Sequence, residues 1–189
     1  MSTGLVGFVG LSLYPLLFFV GQSIIAHRVR VRKPESQGQV LLQPMVQLLG
    51  LLLLFPALTM MESVPAYTPL VVAGAVICLA GLYLSMWAQR KLGRNWVGGV
   101  GKHKNHKLVQ GGPYRYVRHP LYSGMIVSAL GLGLMGWNIV FAVSVLFIFG
   151  SLAMRIFAEE LLLEKTFGKK WLAYKQSTGA LFPKIRKGR

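Results

Sequence analysis

The chain has 189 residues, 53% of them hydrophobic and only 14% charged, and its mean hydropathy of +0.52 is too high for an ordinary soluble domain. Its formal net charge of +16 would suit nucleic acid, but the basic residues fill the gaps between apolar runs and do not line one face, which excludes that class. Cys78 is the single cysteine, so neither an intramolecular disulfide nor a thiolate metal cluster can form, and its place inside an apolar run marks a packing thiol.

The amino-terminal residues carry no positive charge before the first apolar run, which is long for a signal peptide and is taken as a retained span. A helix needs about 20 apolar residues to cross the hydrocarbon core. Candidates lie at 4–26, 40–61 and 68–88, and a further apolar tract covers 121–157. As a single helix that tract would be about 55 Å long, so it should fold into a hairpin at Gly136-Trp137-Asn138. The predicted fold is an all-α integral membrane protein of about five transmembrane helices. The last two form the hairpin, and a short carboxyl-terminal interfacial helix follows. The whole chain reads as one membrane domain, with three spans in 1–90 and the remainder in 91–189. The first hairpin arm is short for a full crossing.

All 21 Lys and Arg fall in three places: Arg28 to Lys33, Arg90 to Arg118, and from Arg155 onward. The intervening segments on the opposite side carry none. The positive-inside tendency puts the amino terminus outside and the carboxyl terminus in the cytoplasm. Any chemistry should face the cytoplasm, and the Arg28 to Lys33 cluster should hold orientation against anionic head groups. Small residues Gly124, Ser128 and Gly131 share a helix face suited to close packing.

Between 91 and 110 the sequence reads as a loop on the membrane surface, with glycines at 93, 98, 99 and 101. Their spacing fails the dinucleotide fingerprint, and no strand precedes them. His103 and His106 have a spacing metal sites use, but three neighbouring lysines would repel a cation, so no metal site is expected.

Two stretches concentrate polar chemistry. In Gly112-Pro113-Tyr114-Arg115-Tyr116-Val117-Arg118-His119-Pro120-Leu121-Tyr122, Pro120 fits the first turn of a helix and pushes His119 out of helical conformation. Arg118, His119 and the helix amino terminus could then bind an anion; equally, the tyrosines and arginines could form an interfacial belt. In Arg155-Ile156-Phe157-Ala158-Glu159-Glu160, the pair Arg155 and Glu159 is set at i, i+4. Glu160 has no cation at helical spacing and must find one elsewhere, in Arg118, His119 or a bound cationic ligand. The hairpin brings both stretches to one side. Phe167-Gly168 then reads as a helix stop before an amphipathic surface helix, an anchor or a lid.

The run Arg118-His119-Pro120-Leu121-Tyr122-Ser123-Gly124, followed by Glu159-Glu160 and by Phe167-Gly168 with Trp171 and Tyr174, resembles the isoprenylcysteine carboxyl methyltransferases and their phospholipid methyltransferase relatives. The resemblance implies methyl transfer from S-adenosylmethionine onto a lipid or lipidated acceptor, a carboxylate such as prenylcysteine or else a phospholipid amine. It implies a cofactor site formed by Leu108, Val109, Gln110, Gly112, Pro113, Tyr114, His119, Pro120, Tyr122, Glu159 and Glu160. Arg118, Glu159 and Glu160 would be the catalytic groups, and Arg118 with Arg155 would steer the acceptor. No obligate protein partner is evident. Two alternatives stay open: a sterol-type NADPH-dependent membrane reductase, and a non-enzymatic membrane protein whose clusters are anchors.

Overall fold

The computed structural model describes residues 49, 69–95, 107–135 and 139–184. The expected span at 4–26, that at 40–61 apart from Leu49, the Arg28 to Lys33 cluster, His103 and His106 lie outside them. Helix α1 covers Pro69–Leu92, α2 Pro120–Met135, α3 Ile139–Phe167 and α4 Lys169–Ser177, with 3-10 turns at Gly93–Asn95 and Gly112–Arg115. Among the described residues there is no strand, only one isolated parallel bridge between Val117 and Gly179.

Prolines open both α1 and α2, where their missing N–H is one the first helical turn leaves unpaired anyway. Helix α1 runs four residues past the expected limit at 88, through Arg90 and Lys91, whose charges suit the negative end of the helix. The segment from 91 is therefore not all loop. Helices α1 and α3, at 24 and 29 residues, are long and apolar enough to cross a membrane. Helix α2 has 16 residues and stops at Met135, and α3 starts at Ile139, so the helices break on either side of the expected hairpin turn.

The principal packing partner of α2 is α1. Gly124, Ser128 and Gly131 of α2 meet Gly74, Cys78, Gly81 and Ser85 of α1 so closely that a Cβ on Gly81 would lie 2.5 Å from the Gly124 carbonyl oxygen. Such backbone contact is how helices associate in lipid, where apolar surface alone gives no drive. Ser85 Oγ donates to the Leu121 carbonyl at 3.0 Å and Ser128 Oγ to the Cys78 carbonyl at 3.1 Å, tying the seam with hydrogen bonds. Cys78 is buried in this seam with Leu132 and Phe141 of α3. Helix α3 otherwise stands apart from α2 and leaves a groove between them. Leu70, Val76 and Leu79 on α1, with Ile139 and Leu146 on α3, point outward, as lipid-facing side chains do.

At Gly168 φ is +52° and ψ −124°, a conformation close to glycine-only, and it ends α3 and redirects the chain into α4. After α4 the chain becomes extended at Thr178 and runs alongside Val117 to His119. This tail forms one wall of the groove.

Candidate active site

The start of α2, the distal end of α3 and the tail converge on two carboxylates. Glu160 Oε1 accepts from Arg118 Nε at 3.0 Å and Nη2 at 2.9 Å, and lies 3.3 Å from His119 Nε2. Its Oε2 pairs with Lys175 Nζ of α4 at 3.0 Å. Glu159 Oε1 accepts from Tyr122 Oη at 2.7 Å and from Arg155 Nε at 3.0 Å. Its Oε2 is 3.8 Å from His119 Nδ1, so the imidazole bridges the two glutamates. The His119 and Tyr122 rings stack with centroids 5.8 Å apart.

Burial makes these pairs matter. The Arg118 and Glu160 side chains are 9% and 15% exposed, so neither charge would be tolerated there alone. Arg118 also ties down the tail. Its Nη1 donates to the Lys175 carbonyl at 3.1 Å and to that of Thr178. Its backbone N–H donates to Gly179 O at 2.8 Å, that of His119 to Ala180 O at 3.0 Å, and Ser123 Oγ to Leu181 O at 2.7 Å. Helix α4 is seated by Trp171, 1% exposed and 6.0 Å below the Arg118 guanidinium, and by Tyr174. Tyr174 Oη donates to the Tyr114 carbonyl at 2.6 Å. Burial pushes the Tyr174 phenol up to about 12, and burial together with nearby Glu159 raises that of Tyr114, so both remain neutral.

A cavity of about 500 Å³ opens beside this cluster. Arg118, Tyr122 and Glu160 form its polar end, and Ile126, Phe149, Leu152, Ile156 and Phe157 with Ala180 and Leu181 of the tail its apolar walls. A polar end leading into a hydrocarbon slot suits an amphiphile.

Of the residues expected at a site, the structure brings together Arg118, His119, Tyr122, Arg155, Glu159 and Glu160. Pro113 and Tyr114 are buried in the 3-10 turn before α2, with the Tyr114 carbonyl held by Tyr174 of α4, and Pro120 is buried at the start of α2. Leu108, Val109, Gln110 and Gly112 lie on the approach to Tyr114. Among the described residues, none of these four hydrogen-bonds to a glutamate. Sequence reasoning missed Lys175, Ser123 and the tail from Thr178 to Leu181. The tail acts through backbone carbonyls and small side chains, which leave no motif, and Lys175 looks like any surface lysine.

The donor set fits S-adenosylmethionine. Its amino group and sulfonium are cationic, and among the described residues Glu159 Oε2 has no ion-pair partner closer than the His119 imidazole at 3.8 Å, leaving room for a cation. Tyr122 and His119 add stacked aromatic faces beside that oxygen.

Fold and site together define a helical membrane protein with a mixed-charge cluster closing an apolar groove. The chain belongs to the phospholipid methyltransferase family, whose sequence profile it matches over residues 69–170. It is 31% identical over 115 residues to a probable protein-S-isoprenylcysteine O-methyltransferase of Oryza sativa subsp. indica, covering 59% of this chain and 60% of the relative. It is 33% identical over 114 residues to the protein-S-isoprenylcysteine O-methyltransferase of Schizosaccharomyces pombe, covering 58% and 47%. The chain thus spans three fifths or less of these two relatives. A eukaryotic intramembrane Ras methyltransferase, an isoprenylcysteine carboxyl methyltransferase, shares the fold with a TM-score of 0.56 at 23% identity, over 79% of this chain and 55% of that one.

Proposed function

We propose that the protein is an integral membrane methyltransferase that esterifies the carboxylate of a lipidated acceptor, such as a prenylated cysteine, with S-adenosylmethionine as donor. The observation that carries this is the cavity of about 500 Å³, apolar along its length and closed by the Arg118, Glu160 and Tyr122 cluster. An acyl or prenyl chain fits the walls and leaves its polar end at the charges. Membership of a methyltransferase family supports the same chemistry over the reductase and anchor alternatives.

S-adenosylmethionine supplies an electrophilic methyl group on a sulfonium. Glu159, Glu160, His119 and Tyr122 would hold it, with Leu108, Val109, Gln110, Gly112, Pro113, Tyr114 and Pro120 as the backbone side of its site. Charge is consumed as the methyl group passes from sulfonium to carboxylate, so the transition state needs less solvation than the reactants, an apolar groove favours the reaction, and the protein need mainly align them. No base is required. Both oxygens of Glu160 are occupied by cations, which suits holding and orienting better than proton removal.

The phospholipid amine reading draws on the family profile itself. An amine must shed a proton, and Glu159, through the less engaged Oε2, is the candidate base.

The two readings separate in one assay. Purified protein is supplied with methyl-labelled cofactor and either N-acetyl-S-farnesylcysteine or phosphatidylethanolamine vesicles. Label released by mild base reports an ester, and label resistant to base reports an amine. Label in neither, together with no cofactor binding by calorimetry, overturns the methyltransferase proposal.

In the membrane, the protein would cross about five times, with its amino terminus outside and its site at the cytoplasmic surface. The support is the confinement of every Lys and Arg to alternate segments. Anionic head groups would contact those segments.

A further inference from the structure

We propose that Lys175 is the residue that meets the acceptor's carboxylate, and that Arg118 acts as a positioning residue behind it. The inference rests on the methyl-transfer reading above. An anionic acceptor needs a cation with donors to spare at the mouth of the groove. Arg118 lines the groove, but four of its five N–H donors are committed, those of Nε and Nη2 to Glu160 and both on Nη1 to the carbonyls of residues 175 and 178, and the side chain is only 9% exposed. Arg155 is 16% exposed, is paired to Glu159 and does not line the groove.

Lys175, like Arg155, is not itself a lining residue of the groove, but its ammonium is the freest of the three cations. Its side chain is 41% exposed, and among the described residues its ammonium, which has three N–H donors, has one ion-pair partner, Glu160 Oε2 at 3.0 Å. Glu160 itself lines the groove, so the ammonium sits one carboxylate away from it. Charge balance points the same way. Arg118, Arg155 and Lys175 face Glu159 and Glu160, so the permanent cations exceed the carboxylates by one. Arg118 and Arg155 suffice to balance the pair, and the surplus is the charge that Lys175 brings. The sulfonium of the cofactor would add to that surplus, so a single negative group entering the groove reduces it, while a cationic amine would increase it. The long stem of lysine lets the ammonium swing toward an incoming group without releasing the helix, because α4 is anchored by Trp171 and Tyr174 instead.

The test uses the full chain in nanodiscs, loaded with S-adenosylhomocysteine so that no turnover occurs. Binding of N-acetyl-S-farnesylcysteine is compared with binding of its carboxamide, for the native protein, Lys175→Gln and Lys175→Arg. The native protein should prefer the acid by about tenfold, and Lys175→Gln should lose that preference by weakening the acid alone. Lys175→Arg should restore it, and the affinity for S-adenosylhomocysteine should stay within about twofold in all three. In turnover, Lys175→Gln should raise the acceptor KM about tenfold with kcat little changed. An unaltered acid preference in Lys175→Gln, or an equal loss of S-adenosylhomocysteine affinity, overturns the role of Lys175. Failure of the native protein to bind cofactor or to methylate either acceptor class appears before any variant is made, and it overturns the underlying reading together with this one.

Discussion

Glu160 gathers side chains from two separate places, Arg118 and His119 before α2 and Lys175 of α4. Replacing it by Gln keeps the volume and leaves two full cations without a counter-charge in a mostly buried site. The expected cost is about 1–3 kcal/mol, read as a lowered melting temperature in detergent. Calorimetry should show affinity for S-adenosylmethionine falling by about tenfold or more, and unchanged affinity would remove Glu160 from the cofactor site. Arg118→Lys probes the other side of the pair. It preserves charge but lacks the planar fork that reaches Glu160 and two carbonyls at once. Amide exchange at residues 178–181 should quicken about tenfold or more, an opening cost of ~1.4 kcal/mol or more, while α1 and α2 keep their protection. At this scale the sequence was partly legible. Glu159 has its partner at i, i+4, and Glu160 visibly needs one from outside its helix. That Arg118 would spend a nitrogen on the main chain could not be read, because a carbonyl acceptor has no residue type.

Among the elements, the α1–α2 seam is the most tightly specified. A side chain at Gly81 would collide with the Gly124 carbonyl and with Ser128. Gly81→Val should therefore force the helices apart and destabilise the protein by about 1–3 kcal/mol or more, measured by thermal melting and by loss of monodisperse protein on extraction. The starts of α2 at Pro120 and of α4 after Gly168 follow from residues whose backbone preferences allow little else. The packing face of α2 was legible too, from Gly124, Ser128 and Gly131. Its partner was harder to foresee. Gly74, Cys78, Gly81 and Ser85 repeat the same spacing on α1, and two matching small-residue faces specify a seam only when read together. The hairpin between α2 and α3 invites the expectation that chain neighbours pack most closely. In fact α3 holds back, because Phe149, Leu152 and Ile156 are too bulky to allow close approach to α2, and the groove results.

For the whole molecule, charge distribution predicts orientation. Cys78, at 6% exposure, gives little background, so single cysteines can be introduced elsewhere as reporters. Trp137→Cys should react with a membrane-impermeant maleimide in intact cells, and Lys184→Cys only after permeabilisation. The reverse pattern would invert the topology and put the site outside. The membrane character was evident from composition alone, but the cavity was not. Its walls come from α2, α3 and the tail at Ala180 and Leu181, well beyond Glu160, the last groove-lining residue of α3, and only folding brings these together.

The tail is gripped through its carbonyl oxygens, by groups on Arg118, His119 and Ser123. A latch of this kind is blind to the side chains it holds. Ala180 and Leu181 could be exchanged for narrower or broader residues without loosening it, so the bore of the slot can be retuned independently of the machinery that closes it. One scaffold could thereby come to accept chains of different girth by substitutions at two positions.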